Sequence, residues 1–257
     1  MYIVDSHCHL YYEPYINNLK QIIKECKSKN VKRLLSISVD YETSLKNIKI
    51  ASEFDEIFCT IGLHPNKVIN EKSKLNKILD LYIPNKKILG IGEAGIDLYR
   101  SNDNLKDQIY CFERQIEFCI DNKLPLVIHS RNAEKETIDI LKNYSKKGLN
   151  FVLHCFSGTE KFAMECLNLN GHISFGGIIT FKKSIELGKI CYKIPLDKIL
   201  VETDSPYLSP LPYRGKTNHP ENTFIIVKKI ADIKKKTIEE ISKKTTSNFN
   251  KLFRLIE

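Results

Sequence analysis

Seven histidines occur in the 257 residues, and five of them stand where apolar, strand-like runs end. His7 and His9 close the run that begins at Tyr2. His64, His129 and His154 follow later runs, and Glu93 and Asp204 close two more. Imidazole and carboxylate together hold divalent cations such as Zn²⁺, Mn²⁺ and Mg²⁺. Residues two apart in a strand share a side, so His7 and His9 can present both imidazoles to one ion. Cys8 between them then faces away into packing. Any one of these residues alone reads as a hydrogen-bonded structural group. His7, His9, Glu93, His129, His154 and Asp204 together exceed what one ion needs, which predicts two divalent metal ions. Glu93 is the natural bridge, because each of its oxygens can take a cation. Two cations about 3.5–4 Å apart can lower the pKa of a shared water and clamp a phosphoryl group. His172 opens a run instead of closing one, which assigns it to the opposite rim in a structural role.

The elements that must bring these residues together follow from the hydrophobic pattern. Short β-rich runs span 2–5, 33–39, 57–62, 88–92, 124–128, 150–153, 172–175 and 199–202. Amphipathic stretches alternate with them. Residues 15–29 put Ile16, Leu19, Ile22, Ile23 and Cys26 on one helical face. Residues 104–122 do the same with Leu105, Ile109, Phe112, Ile116 and Cys119. Eight strands alternating with helices over about 250 residues predict a parallel (β/α)₈ TIM barrel of the metal-dependent hydrolase type, as one domain spanning 1–257. An open doubly wound sheet usually carries a glycine-rich phosphate loop after an early strand, and none stands here. In such a barrel all strand C-termini meet on one face, so residues two hundred positions apart converge on one cleft. Residues 221–257 read as two closing helices whose lysines form a solvated face.

Composition bounds the rest. Hydrophobic residues make up 42% and charged residues 28%, which is ordinary for a folded protein and excludes disorder as the main state. No uncharged apolar run reaches the roughly 18 residues of a membrane span. The N-terminus lacks the zones of a secretory leader. The expected location is the cytoplasm or nucleus, with no membrane partner, no obligate protein partner and a monomeric state. The eight cysteines form no C-x-x-C pair and read as reduced core residues. The net charge of +9 suits either a lysine-rich solvated surface or attraction to a polyanion.

At the chemistry-bearing residues the sequence resembles the TatD family of metal-dependent DNases, over essentially the whole chain. The resemblance rests on Asp5-Ser-His-Cys-His-Leu10, Gly62-Leu-His-Pro65, Gly92-Glu-Ala-Gly-Ile-Asp97, Ile128-His-Ser-Arg131, His154-Cys-Phe-Ser-Gly158, Glu202-Thr-Asp-Ser-Pro-Tyr207 and Arg214-Gly-Lys-Thr-Asn218. It implies one cation held by His7, His9, Glu93 and Asp204, and a second held by Glu93, His129 and His154. It further implies Asp204 as the acceptor of the water proton and His64 beside the scissile phosphate. The implied activity is 3′→5′ exonuclease hydrolysis of DNA, with single-stranded or 3′ ends as substrate and repair or DNA degradation as the setting. Asn66 departs from a frequent family histidine, and Asn132 from a frequent aspartate. Neither removes a metal ligand, though both bear on substrate preference. Many related amidohydrolases bridge their metals with a carbamylated lysine, so Glu93 favours the TatD branch.

Around that set, His64, Asn66, Arg131, Arg214 and Lys216 are candidate phosphate-binding residues. Tyr99 and Tyr207 are candidate stacking surfaces for a base. Ser157 and Gly158 read as phosphate donors or a helix cap. Asp97, placed beyond the strand end, and Asp5 read as carboxylates that orient a ligand or tie the backbone. Two other functions compete. One is an amide or ester hydrolase with the same site, such as a D-aminoacyl-tRNA deacylase. The other is a basic nucleic-acid-binding module around a structural metal, disfavoured because the ligand set exceeds one closed site.

Overall fold

Each of the eight apolar runs forms a strand. The computed structural model describes residues 2–13, 15–84, 87–99 and 103–255. The strands are β1 (Ile3–Cys8), β2 (Val31–Ser36), β3 (Ile57–Ile61), β4 (Ile88–Asp97), β5 (Pro125–Arg131), β6 (Asn150–Leu153), β7 (His172–Phe175) and β8 (Ile199–Val201). They form one parallel sheet in sequence order. Its two edges meet just past β8. Cys8 bridges Ser205, the Asp204 N–H donates to the His7 carbonyl at 2.9 Å, and the His9 N–H donates to the Ser205 carbonyl at 2.8 Å. The predicted (β/α)₈ barrel is therefore the observed fold.

The helices are α1 (Leu19–Ser28), α2 (Tyr41–Glu53), the short α3 (Val68–Glu71) and α4 (Leu75–Leu79), α5 (Leu105–Asn122), α6 (Glu134–Tyr144), α7 (Glu160–Asn168), α8 (Ile185–Lys193), α9 (Thr223–Lys234) and α10 (Ile238–Leu252). Asp40 starts α2 and Thr237 starts α10, each through a capping box that satisfies the first free N–H groups. In α1 the buried residues are Leu19, Ile22, Ile23 and Cys26, as the 3.6-residue period requires. In α5 the face is rotated from the expected one. Leu105 and Ile109 are half-buried, while Gln108 and Gln115 are buried. The two amides satisfy strand-end backbone: the Gln108 carbonyl accepts from the Asp97 N–H, and Gln115 both accepts from and donates to Leu63. The eight cysteines are free thiols, seven of them buried and Cys155 half-buried. No helix among the described residues is long and apolar enough to cross a membrane.

Two apolar clusters pack the barrel. The larger lies between sheet and helices. The smaller gathers Val4, Leu35, Leu89, Val127, Val152 and Leu200, one from each of six strands, with Phe249 and Phe253 of the α10 segment. Residues drawn from around a closed sheet can meet only inside it. The second cluster is therefore the barrel interior, and α10 closes its floor. The mouth at the other end is left for polar side chains.

Candidate metal centre

The strand pleat lifts chemistry out of the apolar interior. Val127 and His129 are two apart, as are Val152 and His154. Leu200 and Glu202 are likewise two apart, Glu202 lying just past β8. All six predicted ligands reach one place at the mouth. His7 Nε2 lies 3.3 Å from His9 Nε2 and 3.6 Å from Asp204 Oδ1, and His9 Nε2 lies 3.4 Å from the same oxygen. Glu93 Oε2 faces this group, 3.6 Å from His7 Nε2. Its other oxygen, Oε1, faces a second group. His154 Nε2 is 2.7 Å away, His129 Nδ1 2.8 Å, and the two nitrogens are 3.3 Å apart. The rings of His7 and His154 stack at 4.0 Å and join the two groups.

Unusual backbone aims these groups. Asn132, Cys155 and Asp204 take left-handed conformations, with φ of 52°, 43° and 55°, just beyond β5, β6 and β8. Asn and Asp tolerate that region; Cys155 is held there by its N–H donating to Glu202 Oε1 at 2.6 Å. Gly95, with φ of +144°, sits where a Cβ would lie 1.9 Å from the His129 carbonyl oxygen. Only glycine lets β4 pass β5 this closely.

The outer contacts decide which imidazoles fit a cation. A ligating histidine usually donates its rear N–H to an oxygen and turns its lone pair forward. His9 Nδ1 meets the Ile37 carbonyl at 3.0 Å, and His129 Nε2 meets Asp97 Oδ2 at 3.1 Å. His154 Nδ1 points at Glu202 Oε1 from 3.5 Å, a long contact. His64 is the reverse case. Its Nδ1 accepts from the Asn66 N–H at 3.0 Å, so the neutral ring carries its proton on Nε2. That N–H points toward Glu93 Oε1, 3.4 Å away. His64 groups with Glu93 and His129 by distance alone, but its tautomer makes it a donor and not a ligand.

Electrostatics agree. Burial pushes the Glu93 carboxyl up, yet His154, His64 and His129 outweigh it and hold it well below the ordinary range. Burial likewise raises Asp204, and the His9 hydrogen bond with the His7 and His154 charges reverses the shift. Burial lowers His9, His129 and His154, but neighbouring carboxylates carry all three above the usual imidazole value. Burial prevails at His64, which stays neutral more readily than a free histidine. The carboxylates thus favour positive charge on the imidazoles beside them, and a divalent cation would supply that charge in place of the ring protons.

Asp97 closes β4; it does not lie beyond the strand as its sequence position suggested. Its Oδ2 also accepts from the Asn66 amide at 3.0 Å. Asp5 ties backbone: it accepts from the His7 and Thr203 N–H groups and the Thr203 hydroxyl, and burial pushes its carboxyl up to about 8. Glu202 behind His154 escaped the sequence reading, although its place two residues before Asp204 signalled a shared side. His172 opens β7 at the floor, as expected.

The cleft above this centre holds about 690 Å³ and includes His64, Asn66, Arg131 and Tyr207 in its walls. Two predicted phosphate contacts differ from expectation. Arg214 is exposed and lies over the Phe181 ring at 4.4 Å, and Lys216 is exposed. Neither is among the residues that line the cleft. Tyr99 carries the Arg131 guanidinium 3.7 Å above its ring. Ser157 and Gly158 precede the α7 cap, a task performed by Thr159.

Comparison with known proteins supplies the family. Residues 4–254 match the family described as TatD related DNase. An uncharacterised metal-dependent hydrolase of Buchnera aphidicola from Acyrthosiphon pisum is 38% identical, across 99% of this chain and 100% of that protein. The metal-dependent hydrolase YabD of Bacillus subtilis is 33% identical, across 98% and 99%. The crystal structure of YJJV, a TatD homologue from Escherichia coli, superposes with a TM-score of 0.91 at 23% identity, covering 99% of this chain and 98% of that one. A TatD family hydrolase from Entamoeba histolytica gives 0.88 at 22% identity, covering 98% of each. These two likenesses bear on the fold alone. With the family matched over nearly its full length, this chain belongs to the TatD-related DNases and is a metal-dependent hydrolase of that type.

Proposed function

We propose that this protein hydrolyses DNA phosphodiester bonds from 3′ ends, using two divalent cations at the barrel mouth. The observation that carries the reading is the division of Glu93. Its Oε2 faces the His7, His9 and Asp204 group, and its Oε1 faces His129 and His154. Those two groups would hold the two cations, with Zn²⁺, Mn²⁺ and Mg²⁺ as candidates for the mixed nitrogen and oxygen ligation. When bound, the cations supply Lewis acidity toward a water nucleophile and the phosphoryl group.

The chain's own groups do the rest. Asp204, held ionised, accepts a proton from the attacking water as the new O–P bond forms. The bond from phosphorus to the 3′-oxygen breaks, that oxygen takes up the proton passed on by Asp204 to become a 3′-hydroxyl, and a 5′-mononucleotide leaves. His64 donates its Nε2–H to a phosphate oxygen, and Asn66 and Arg131 orient the strand from the same wall. The TatD assignment and the basic net charge support a phosphate-bearing substrate.

The test uses a 5′-labelled single-stranded oligonucleotide and protein of measured metal content. The expected result is stepwise shortening from the 3′ end with release of 5′-mononucleotides. Chelation should abolish it and metal return should restore it. Release of an amino acid from aminoacyl-tRNA without any nucleotide release would overturn the reading.

A further inference from the structure

The walls of the mouth differ in chemistry. On one side, Tyr11 and Tyr12 follow β1, Ile178 follows β7, and Tyr207 and Leu208 follow β8. Those three strands are consecutive around the barrel. On the other side, following β3 and closing β5, stand Asn66, Lys67 and Arg131. An apolar, aromatic half therefore faces a polar, cationic half across the Glu93 centre.

The aromatic half has a defined shape. Tyr12 and Tyr207 meet edge to face at 5.9 Å and 82°, and each ring lies 6.0 Å from His9. The Tyr12 ring also packs against Tyr11, with centroids 4.5 Å apart. Tyr207 leaves 48% of its surface exposed. A second cavity of about 460 Å³ continues past Arg131 and Tyr99 on the opposite side. The two cavities share Ser130, Arg131, His154, Cys155 and Ser157.

We propose that the slot formed by Tyr12, Tyr207 and Leu208 is the binding site for the unpaired base of the 3′-terminal nucleotide. Resting on the nuclease reading, the proposal names its substrate end. The slot touches His9, so a base lying there belongs to the nucleotide whose linkage lies over Glu93. The remaining strand then leaves across Arg131 toward the second cavity. Aromatic rings accept any base, so the slot selects for an unpaired end and not for sequence. A terminal base still paired in a duplex presents its face to the next pair and cannot enter.

The test compares single-stranded oligonucleotides ending in a normal nucleotide with ones ending in an abasic deoxyribose. Wild-type protein should cleave the abasic end with kcat/KM lower on the order of tenfold. The Tyr12→Leu, Tyr207→Leu double variant should lose about that factor on normal ends and no longer distinguish the two. The Tyr12→Phe, Tyr207→Phe variant keeps the rings and should keep the distinction, which separates stacking from a folding defect. Calorimetry with metal-loaded protein adds binding of a deoxynucleoside monophosphate against deoxyribose 5-phosphate. Ring-dependent preference for the nucleotide without strand cleavage would uphold the slot and overturn the reaction. Strand cleavage indifferent to the terminal base would overturn the slot and uphold the reaction.

Discussion

The two ends of this barrel use the same pleat for opposite ends. At the floor, Val127, Val152 and Leu200 pack with Phe249 and Phe253, whose rings lie 4.5 Å apart. Two residues farther along the chain, at or just past the strand ends, stand His129, His154 and Glu202. The floor is close-packed and apolar, the source of stability in most folds. The mouth collects buried imidazoles and carboxylates, each costly to bury unless paired. One pleat therefore separates structure from chemistry, and the two should respond to mutation independently.

Glu93→Gln is the severest test at the mouth. The amide keeps the shape but cannot offer two anionic oxygens. Hydrolysis should fall by on the order of 10²–10³-fold or more, with bound metal reduced and the far-ultraviolet circular dichroism unchanged. Turnover within a few fold of wild type would detach the divided carboxylate from the reaction.

Phe249→Ala asks the reverse question. Phe249 is buried at 1% exposure between the floor residues and Phe253. Its loss should cost about 3–5 kcal/mol in denaturant unfolding, while kcat per folded molecule stays the same. A matching fall in kcat would mean that floor packing sets the geometry of the mouth.

How far each end was legible follows from this division. The strands and the six converging residues were readable because apolar runs and ligand types are both local features. The extent of β4 was not. The apolar run reads as ending at Gly92, yet β4 continues to Asp97, with Gly95 where a Cβ would collide with the β5 backbone. Arg214 matched a motif, but motif order cannot show that its guanidinium lies over the Phe181 ring. Tyr12 carries no local mark; only barrel closure brings it to Tyr207.

Asp97→Asn probes the boundary between the two roles. Asp97 is buried and touches His129 from behind, and its carboxyl is pushed up by burial but drawn far lower by His129 and Asn66. Without that charge His129 loses its fixed orientation. Metal affinity or activity should drop about 10–100-fold, measured by titration of metal-depleted protein. An unchanged affinity would show that ring packing alone positions His129.

His172 gives the most gradual effect and the clearest sign. It is the floor's buried imidazole, and burial together with Lys198 and Lys251 pushes it down from 6.5 to about 4. Below pH 6.5 the unfolded chain takes up a proton that the folded chain refuses. Stability should therefore decline as pH falls from 6.5 to about 4, by at most about 1.4 kcal/mol per pH unit. Above 6.5 both states are neutral and the group contributes no slope. At the mouth, His9, His129 and His154 are shifted the other way by carboxylates, so their contribution in metal-free protein is lost as pH rises. Subtracting the unfolding free energies of His172→Gln from those of wild type, from pH 4 to 8, isolates the floor. The difference should be level above 6.5 and sloped below it. A level difference throughout would mean that His172 is charged in the folded barrel, and that the floor is less dry than its packing implies.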